Sequence, residues 1–204
     1  MLLQYQFSQS VRGFSKLRHG MLSTRTYRTV PYKLSLAQRV FVSAYYAGVA
    51  ISDPERADAV AGLGDVTGEA ASARLVTRMK STPSGRRLLA KKPLINSQSV
   101  DLEALKVLPE GTLGHAYAQY MERHTFDADA RNPVRFLQDP DTAYAMVRYR
   151  QIHDFWHILC DLPPTLSGEL ALKWFEWRQT GLPVAGLSAL IGPLRLSFGQ
   201  VRVF

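Results

Sequence analysis

The chain has 204 residues, 46% of them hydrophobic, enough for one sizeable core and a single domain. Its formal net charge of +8 suggests nucleic acid until it is divided: seven of the 25 basic residues and none of the 17 acidic ones precede residue 53, so the remainder is nearly neutral. One cysteine excludes an intramolecular disulfide framework and fits a reducing compartment.

Residues 1–30 are rich in Arg and Ser, free of acid and interleaved with Leu, Phe, Val and Met. That is the composition of a mitochondrial transit peptide, and it lacks the compact apolar stretch of a secretory signal. A basic disordered arm is the alternative. Ser35 and Gln38 form an S-x-x-Q capping box ahead of a helix that is apolar almost all round after Arg39, either a buried core element or a membrane-contacting one. Asp53-Pro54 stops it, and the segment carrying Gly62, Gly64 and Gly68 reads as a loop. Those glycines follow no strand and lack the nucleotide-binding spacing. A helix is expected from Glu69 to Met79, a break at Pro83–Gly85, and a short helix over Arg86–Lys91.

Between Ala70 and Val100 there are seven basic residues, no acidic one and no aromatic residue for base stacking. The run matches no nucleic-acid-binding motif, so no nucleic acid is expected; it is a solvated face or one attracted to anionic lipid headgroups. Leu113–His124 reads as a helix with Leu113, Tyr117, Tyr120 and Met121 as its apolar stripe. Asp139 caps and Pro140 starts a long helix to about Asp161, and another runs from Leu166 to Thr180, ended by Gly181 and Pro183. Gly181–Leu194 is uncharged but too short to span a bilayer, which leaves core packing or shallow interfacial insertion. With no repeat and no alternating strands, the chain is predicted to be all-α, a single-domain helical bundle.

The long helix carries the chemistry. His153, Asp154, His157 and Glu169 form H-D-x2-H-x11-E. At about 100° per residue, His153, Asp154 and His157 share one helical stripe. Pro163, Pro164 and Gly168 allow the chain to fold back, so that Glu169 can close a site between two adjacent helices. Two imidazoles and two carboxylates suit zinc, iron or manganese better than calcium, and a divalent ion offsets the repulsion between Asp154 and Glu169. The alternative is ordinary helix residues satisfied by neighbours. Cys160 is either a softer competing ligand or a small buried thiol at the helix end. Arg150, one turn before Asp154, either steers a carboxylate or, as expected, pairs with Asp154, and the same choice holds for Lys173 beside Glu169. Trp156, Trp174, Phe175 and Trp177 could line an apolar groove or fill the core.

The stretch HDFWHILCDLPPTLSGELALKWFEWRQTGLP resembles the coenzyme Q biosynthesis family often called "COQ four", as do DPERADAVAGLGDVTG at 53–68, LPEGTLGHAYAQYM at 108–121 and NPVRFLQDPDTAYAMVRYRQIHD at 132–154. The resemblance covers about residues 34–196. It implies a protein peripheral on the matrix face of the inner mitochondrial membrane, in which His153, Asp154, His157 and Glu169 bind zinc or another divalent ion and act through it. It further implies a lyase that removes the C1 carboxyl group of 4-hydroxy-3-methoxy-5-polyprenylbenzoate to give 2-methoxy-6-polyprenylphenol, and an organiser of the multienzyme complex. Its partners would be other coenzyme Q biosynthesis proteins in a multienzyme complex, the polyprenylated lipid, and a second copy in a homodimer. A non-catalytic lipid-binding scaffold with a structural metal is the alternative. A metal hydrolase is the third reading, because HDxxH is similar to HExxH, but Asp154 reads as a ligand rather than a base. Family members continue past the GPLRL-type segment, so residues 31–204 read as the helical domain, shortened at its C-terminus.

Overall fold

The computed structural model describes residues 32–53 and 56–195. The transit-peptide expectation for residues 1–30 and the expectation drawn from the chain's last residues lie outside them. The described residues form nine α-helices and no strand, in accord with the all-α, single-domain expectation.

Local signals place most helix ends. Ser35 and Gln38 form the reciprocal capping box that opens α1 (Leu36–Ser52). α1 is not an all-round core element, since none of its residues is buried. Val42, Tyr46 and Ala47 pack inward while Leu36, Val40, Phe41 and Tyr45 stay exposed.

The expected loop at Gly62 and Gly64 is instead a helix, α2 (Ala57–Thr67). A Cβ on Gly62 would lie 2.5 Å from the Tyr46 ring, and one on Gly64 would lie 3.2 Å from Val184. These glycines let α1 and α9 approach α2 closely, and that packing outweighs their poor helix propensity. Gly68 alone acts as a break, joining α2 to α3 (Glu69–Lys80).

Thr82 caps α4 (Pro83–Lys91) by accepting a hydrogen bond from the Gly85 N–H, and Pro83 occupies its first turn. The expected break at Pro83–Gly85 therefore shrinks to Ser81 and Thr82. Arg74, Arg78, Lys80, Arg86, Arg87 and Lys91 stand exposed along α3 and α4. A short α5 (Leu102–Lys106), capped by Asp101, precedes α6 (Leu113–His124). Tyr117 and Met121 of the expected stripe are buried, whereas Leu113 is exposed.

Asp139 caps α7 (Pro140–Leu159), Thr165 caps α8 (Leu166–Thr180), and Gly181 ends α8 at φ 66°. Residues after Gly181 form a further helix, α9 (Pro183–Ile191), and a 3-10 turn (Gly192–Arg195). Val184, Ala185, Gly186 and Ala189 of α9 are buried, so this uncharged stretch packs on the core along one face.

The main core joins Leu63 and Val66 of α2, Val134 and Leu137 of the segment before α7, Met146 of α7, and Leu182. α7 runs through the middle, against α3, α6 and α8. Its last turns thus lie beside α8, where the chemistry is concentrated. No described helix is long and apolar enough to cross a membrane.

Candidate metal centre

After α7 the chain reverses through Asp161, held at φ 51°, and Pro163-Pro164. A Cβ on Gly168 would sit 2.0 Å from the Pro163 carbonyl oxygen, so only glycine allows α8 to start this close to the turn. The reversal brings Glu169 opposite the imidazoles. Its Oε2 lies 3.4 Å from His153 Nε2 and its Oε1 lies 3.2 Å from His157 Nε2. The ligand atoms of these three residues all fall within 4.8 Å of one another.

The far nitrogens of both rings are already engaged. His153 Nδ1 is 2.6 Å from Glu176 Oε1, and His157 Nδ1 is 2.9 Å from the Leu162 carbonyl oxygen. A carbonyl only accepts, and Lys173 and His153 hold the Glu176 carboxyl at about 2 against the opposing effect of burial. Both Nδ1 atoms therefore donate. The two Nε2 lone pairs then face each other at 3.2 Å beside a carboxylate, a geometry that calls for a cation between them. Burial and Lys173 press the His153 pKa down, but Glu169 and Glu176 outweigh them and raise it to about 10. Burial likewise opposes ionisation of Glu169, yet His153, followed by His157, holds it well below the usual carboxylate range.

A proton on His153 meets this demand in the metal-free protein. A divalent ion fits better by donor chemistry: two imidazoles and a carboxylate converge, and each imidazole is oriented from behind by a carboxylate or a carbonyl.

Asp154 stands outside this grouping of three. Its Oδ2 accepts from Arg131 Nη2 at 2.7 Å, and Arg131 Nη1 donates to the carbonyls of Ile95 and Ala128. The expected Arg150–Asp154 pair does not form: Arg150 faces α2 and binds Asp65 at 2.5 Å with the carbonyls of Ala61 and Asn132. Lys173 pairs with Glu176 at 2.7 Å rather than with Glu169, because the i+3 carboxylate lies on the buried side of α8. Cys160 caps α7 and is exposed, which corrects the buried-thiol expectation.

A cavity of about 1270 Å³ opens onto the cluster. His153, Asp154, Glu169 and Lys173 are among its polar lining residues, and Ile51, Val60, Leu187 and Ile191 among its apolar ones. None of Trp156, Trp174, Phe175 and Trp177 lines it, so the groove expected of those four is formed by other residues.

Sequence reasoning missed Glu176, Arg131 and Tyr149 as parts of the site. Glu176 had a readable signal, since it lies seven residues after Glu169 and therefore two turns along the same face of α8. Arg131 had none, because its partnership depends on how the segment before α7 folds over the helix.

The family model "Coenzyme Q (ubiquinone) biosynthesis protein Coq4" matches residues 27–204. The chain is 44% identical over 169 residues to "Ubiquinone biosynthesis protein COQ4 homolog, mitochondrial" of Bos taurus, covering 83% of this chain and 64% of the relative. It is 43% identical over 164 residues to the Coprinopsis cinerea "Ubiquinone biosynthesis protein COQ4, mitochondrial", covering 80% and 56%. The chain thus spans a little over half the length of these two curated relatives. The Schizosaccharomyces pombe protein of the same description is 40% identical over 210 residues, covering 100% and 76%. Among solved structures, that of a Nostoc punctiforme PCC 73102 protein assigned a proposed role in ubiquinone biosynthesis superposes with a TM-score of 0.59 at 25% identity, covering 82% of this chain and 76% of that one.

Proposed function

The chain belongs to the Coq4 family of coenzyme Q (ubiquinone) biosynthesis proteins, and from that premise we propose that it is a metal-dependent carbon–carbon lyase of ubiquinone biosynthesis. It removes the C1 carboxyl group of 4-hydroxy-3-methoxy-5-polyprenylbenzoate as carbon dioxide, and the ring carbon takes up a proton to give 2-methoxy-6-polyprenylphenol. The observation that carries this reading is the metal-type cluster on a large cavity whose lining divides between polar and aliphatic residues. An amphiphile with an ionised aromatic head and an isoprenoid tail fits that division, and the tail gains about 0.8 kcal/mol per methylene removed from water.

His153, His157 and Glu169 would hold the ion, most simply Zn2+, with Asp154 as the fourth donor presented from the same cavity wall. When bound, such an ion would supply Lewis acidity toward an ionised headgroup. The rest is done by the chain itself. Glu176 and the Leu162 carbonyl fix both imidazoles with Nε2 toward Glu169, and the aliphatic walls keep water from the tail.

The proposal extends to a place in the cell: peripheral on the matrix face of the inner mitochondrial membrane, within a complex of coenzyme Q biosynthesis proteins and as a homodimer. The relatives' mitochondrial names and the exposed basic residues of α3 and α4 support attachment to anionic lipid. A second reading is a non-catalytic lipid-binding scaffold with a structural ion. It draws on Glu176, which ties α8 to α7 through His153 and Tyr149 and makes the centre a helix clamp.

The test is to purify the full-length protein, determine its metal, and offer the polyprenylated hydroxybenzoate while assaying release of the carboxyl carbon. Release that disappears in folded His157→Ala and Glu169→Ala supports the lyase. Unchanged substrate with a fully metallated protein overturns it in favour of the scaffold.

A further inference from the structure

Glu176 is fully buried and divides its two oxygens among three groups. Oε1 faces His153 Nδ1 at 2.6 Å, while Oε2 accepts from the Tyr149 hydroxyl at 2.5 Å and from Lys173 Nζ at 2.7 Å. Lys173 therefore shares its one directly bonded carboxylate, with Glu169 and Tyr149 adding to the field that favours its charge. Its Nζ lies 6.0 Å from the centroid of the Tyr149 ring, and the Lys173 side chain is only 16% exposed. An ammonium taken this far out of water is costly unless its donors are used and its charge is met. It has three donors, of which Glu176 takes one and the Tyr149 hydroxyl lies within reach of a second.

Other cations around the cavity are committed elsewhere. Arg131 serves Asp154 and two carbonyls, Arg150 serves Asp65 and two more, and Lys106 is shared by Glu103 and Glu122 near the surface. Lys173 lines the cavity together with His153, Tyr149 and Glu169, one helical turn beyond Glu169.

We infer that Lys173, held in place by Glu176 and Tyr149, is the cation that receives the carboxylate of an aromatic acid in this cavity and so makes the site select the acid over its neutral phenol. The inference rests on the reading that the cavity takes a prenylated hydroxybenzoate, and it adds the residue that sets the preference. A monoanionic carboxylate suits one ammonium with a donor to spare, since charge-assisted hydrogen bonds are roughly twice as strong as neutral ones.

The experiment measures binding of a water-soluble short-chain prenylated 4-hydroxybenzoate and of the matching prenylated phenol to the full-length protein, with metal content recorded for each sample. Lys173→Arg retains the cation, and the double variant Lys173→Gln/Glu176→Gln removes the ammonium together with its buried counter-charge, which avoids stranding Glu176. The expected result is a preference of wild type for the acid of about tenfold or more, which Lys173→Arg keeps and the double variant loses at unchanged metal content. Phenol binding in the double variant stays near wild type, a separation that a merely structural lysine would not produce. A double variant that keeps the preference overturns the assignment to Lys173 while leaving the cavity reading intact. If wild type binds neither probe, the cavity reading itself falls, and this inference with it.

Discussion

His153 Nδ1 donates to Glu176 Oε1 at 2.6 Å, and this single bond decides which ring nitrogen faces Glu169. Glu176→Ala removes the acceptor, frees the ring to take its other tautomer, and leaves Lys173 buried without its carboxylate. Metal affinity should fall about 10–100-fold, and stability should drop by about 3–5 kcal/mol. Glu176→Gln keeps an acceptor for His153 and should lose less of both. Competition with a chromophoric chelator and urea unfolding check the two effects separately.

The metal-free protein should show a particular pH response. The His153 pKa is raised to about 10, above its ordinary value near 6.5. Its contribution to stability is thus complete below about pH 6.5 and is lost as pH rises through about 10. Glu176, held down at about 2, behaves oppositely: its contribution is complete above about pH 4.3 and is lost as pH falls toward 2. Urea midpoints of the chelated protein should therefore decline on both sides of neutrality. Because an ion displaces the His153 proton, metal uptake near pH 7 should release a proton, measurable in weakly buffered solution.

Asp154 and the other three candidate donors should separate in a variant series. His157→Ala and Glu169→Ala remove groups that already converge, whereas Asp154→Ala removes one held by Arg131. Chelator titration should rank the loss of affinity as His157→Ala and Glu169→Ala above Asp154→Ala. Equal losses would show that Asp154 binds the ion as firmly as its neighbours.

Arg150 belongs to the fold. Its pair with Asp65 is buried, so Arg150→Met leaves an unpaired carboxylate and should destabilise the protein by about 3–5 kcal/mol without changing the metal content of the folded fraction. Thermal unfolding with metal analysis reads both.

Much of this architecture was legible locally. Ser35 with Gln38, Asp139 with Pro140, and Thr180 before Gly181 mark helix ends by interactions within a few residues, and the structure forms each of them. The spacing of His153, His157 and Glu169 was legible for the same reason, with Pro163-Pro164 supplying the turn. What escaped depends on distant partners. Gly62 is helical because Tyr46 of another helix needs its bare backbone, and Arg150 turns from Asp154 because Asp65, 85 residues earlier, lies on the facing side. Arg131 meets Asp154 only after the segment before α7 has folded across it. Periodicity along one helix carries no information about which neighbour will arrive.

The α1–α2 contact offers an independent check on the fold. Gly62→Ala pushes a methyl group into the Tyr46 ring and should cost about 1–3 kcal/mol, by the usual penalty for overpacking. Adding Tyr46→Leu should recover part of that loss in the double variant, measured as a shift in urea midpoint.

The central claim is that His153, His157 and Glu169 hold one divalent ion. X-ray absorption at the metal edge of the purified full-length protein tests it most directly. The account predicts one ion per chain with two imidazole scatterers and oxygen donors completing the shell. A protein that retains no metal after dialysis, or a shell built on the sulfur of Cys160 without imidazole, would contradict it.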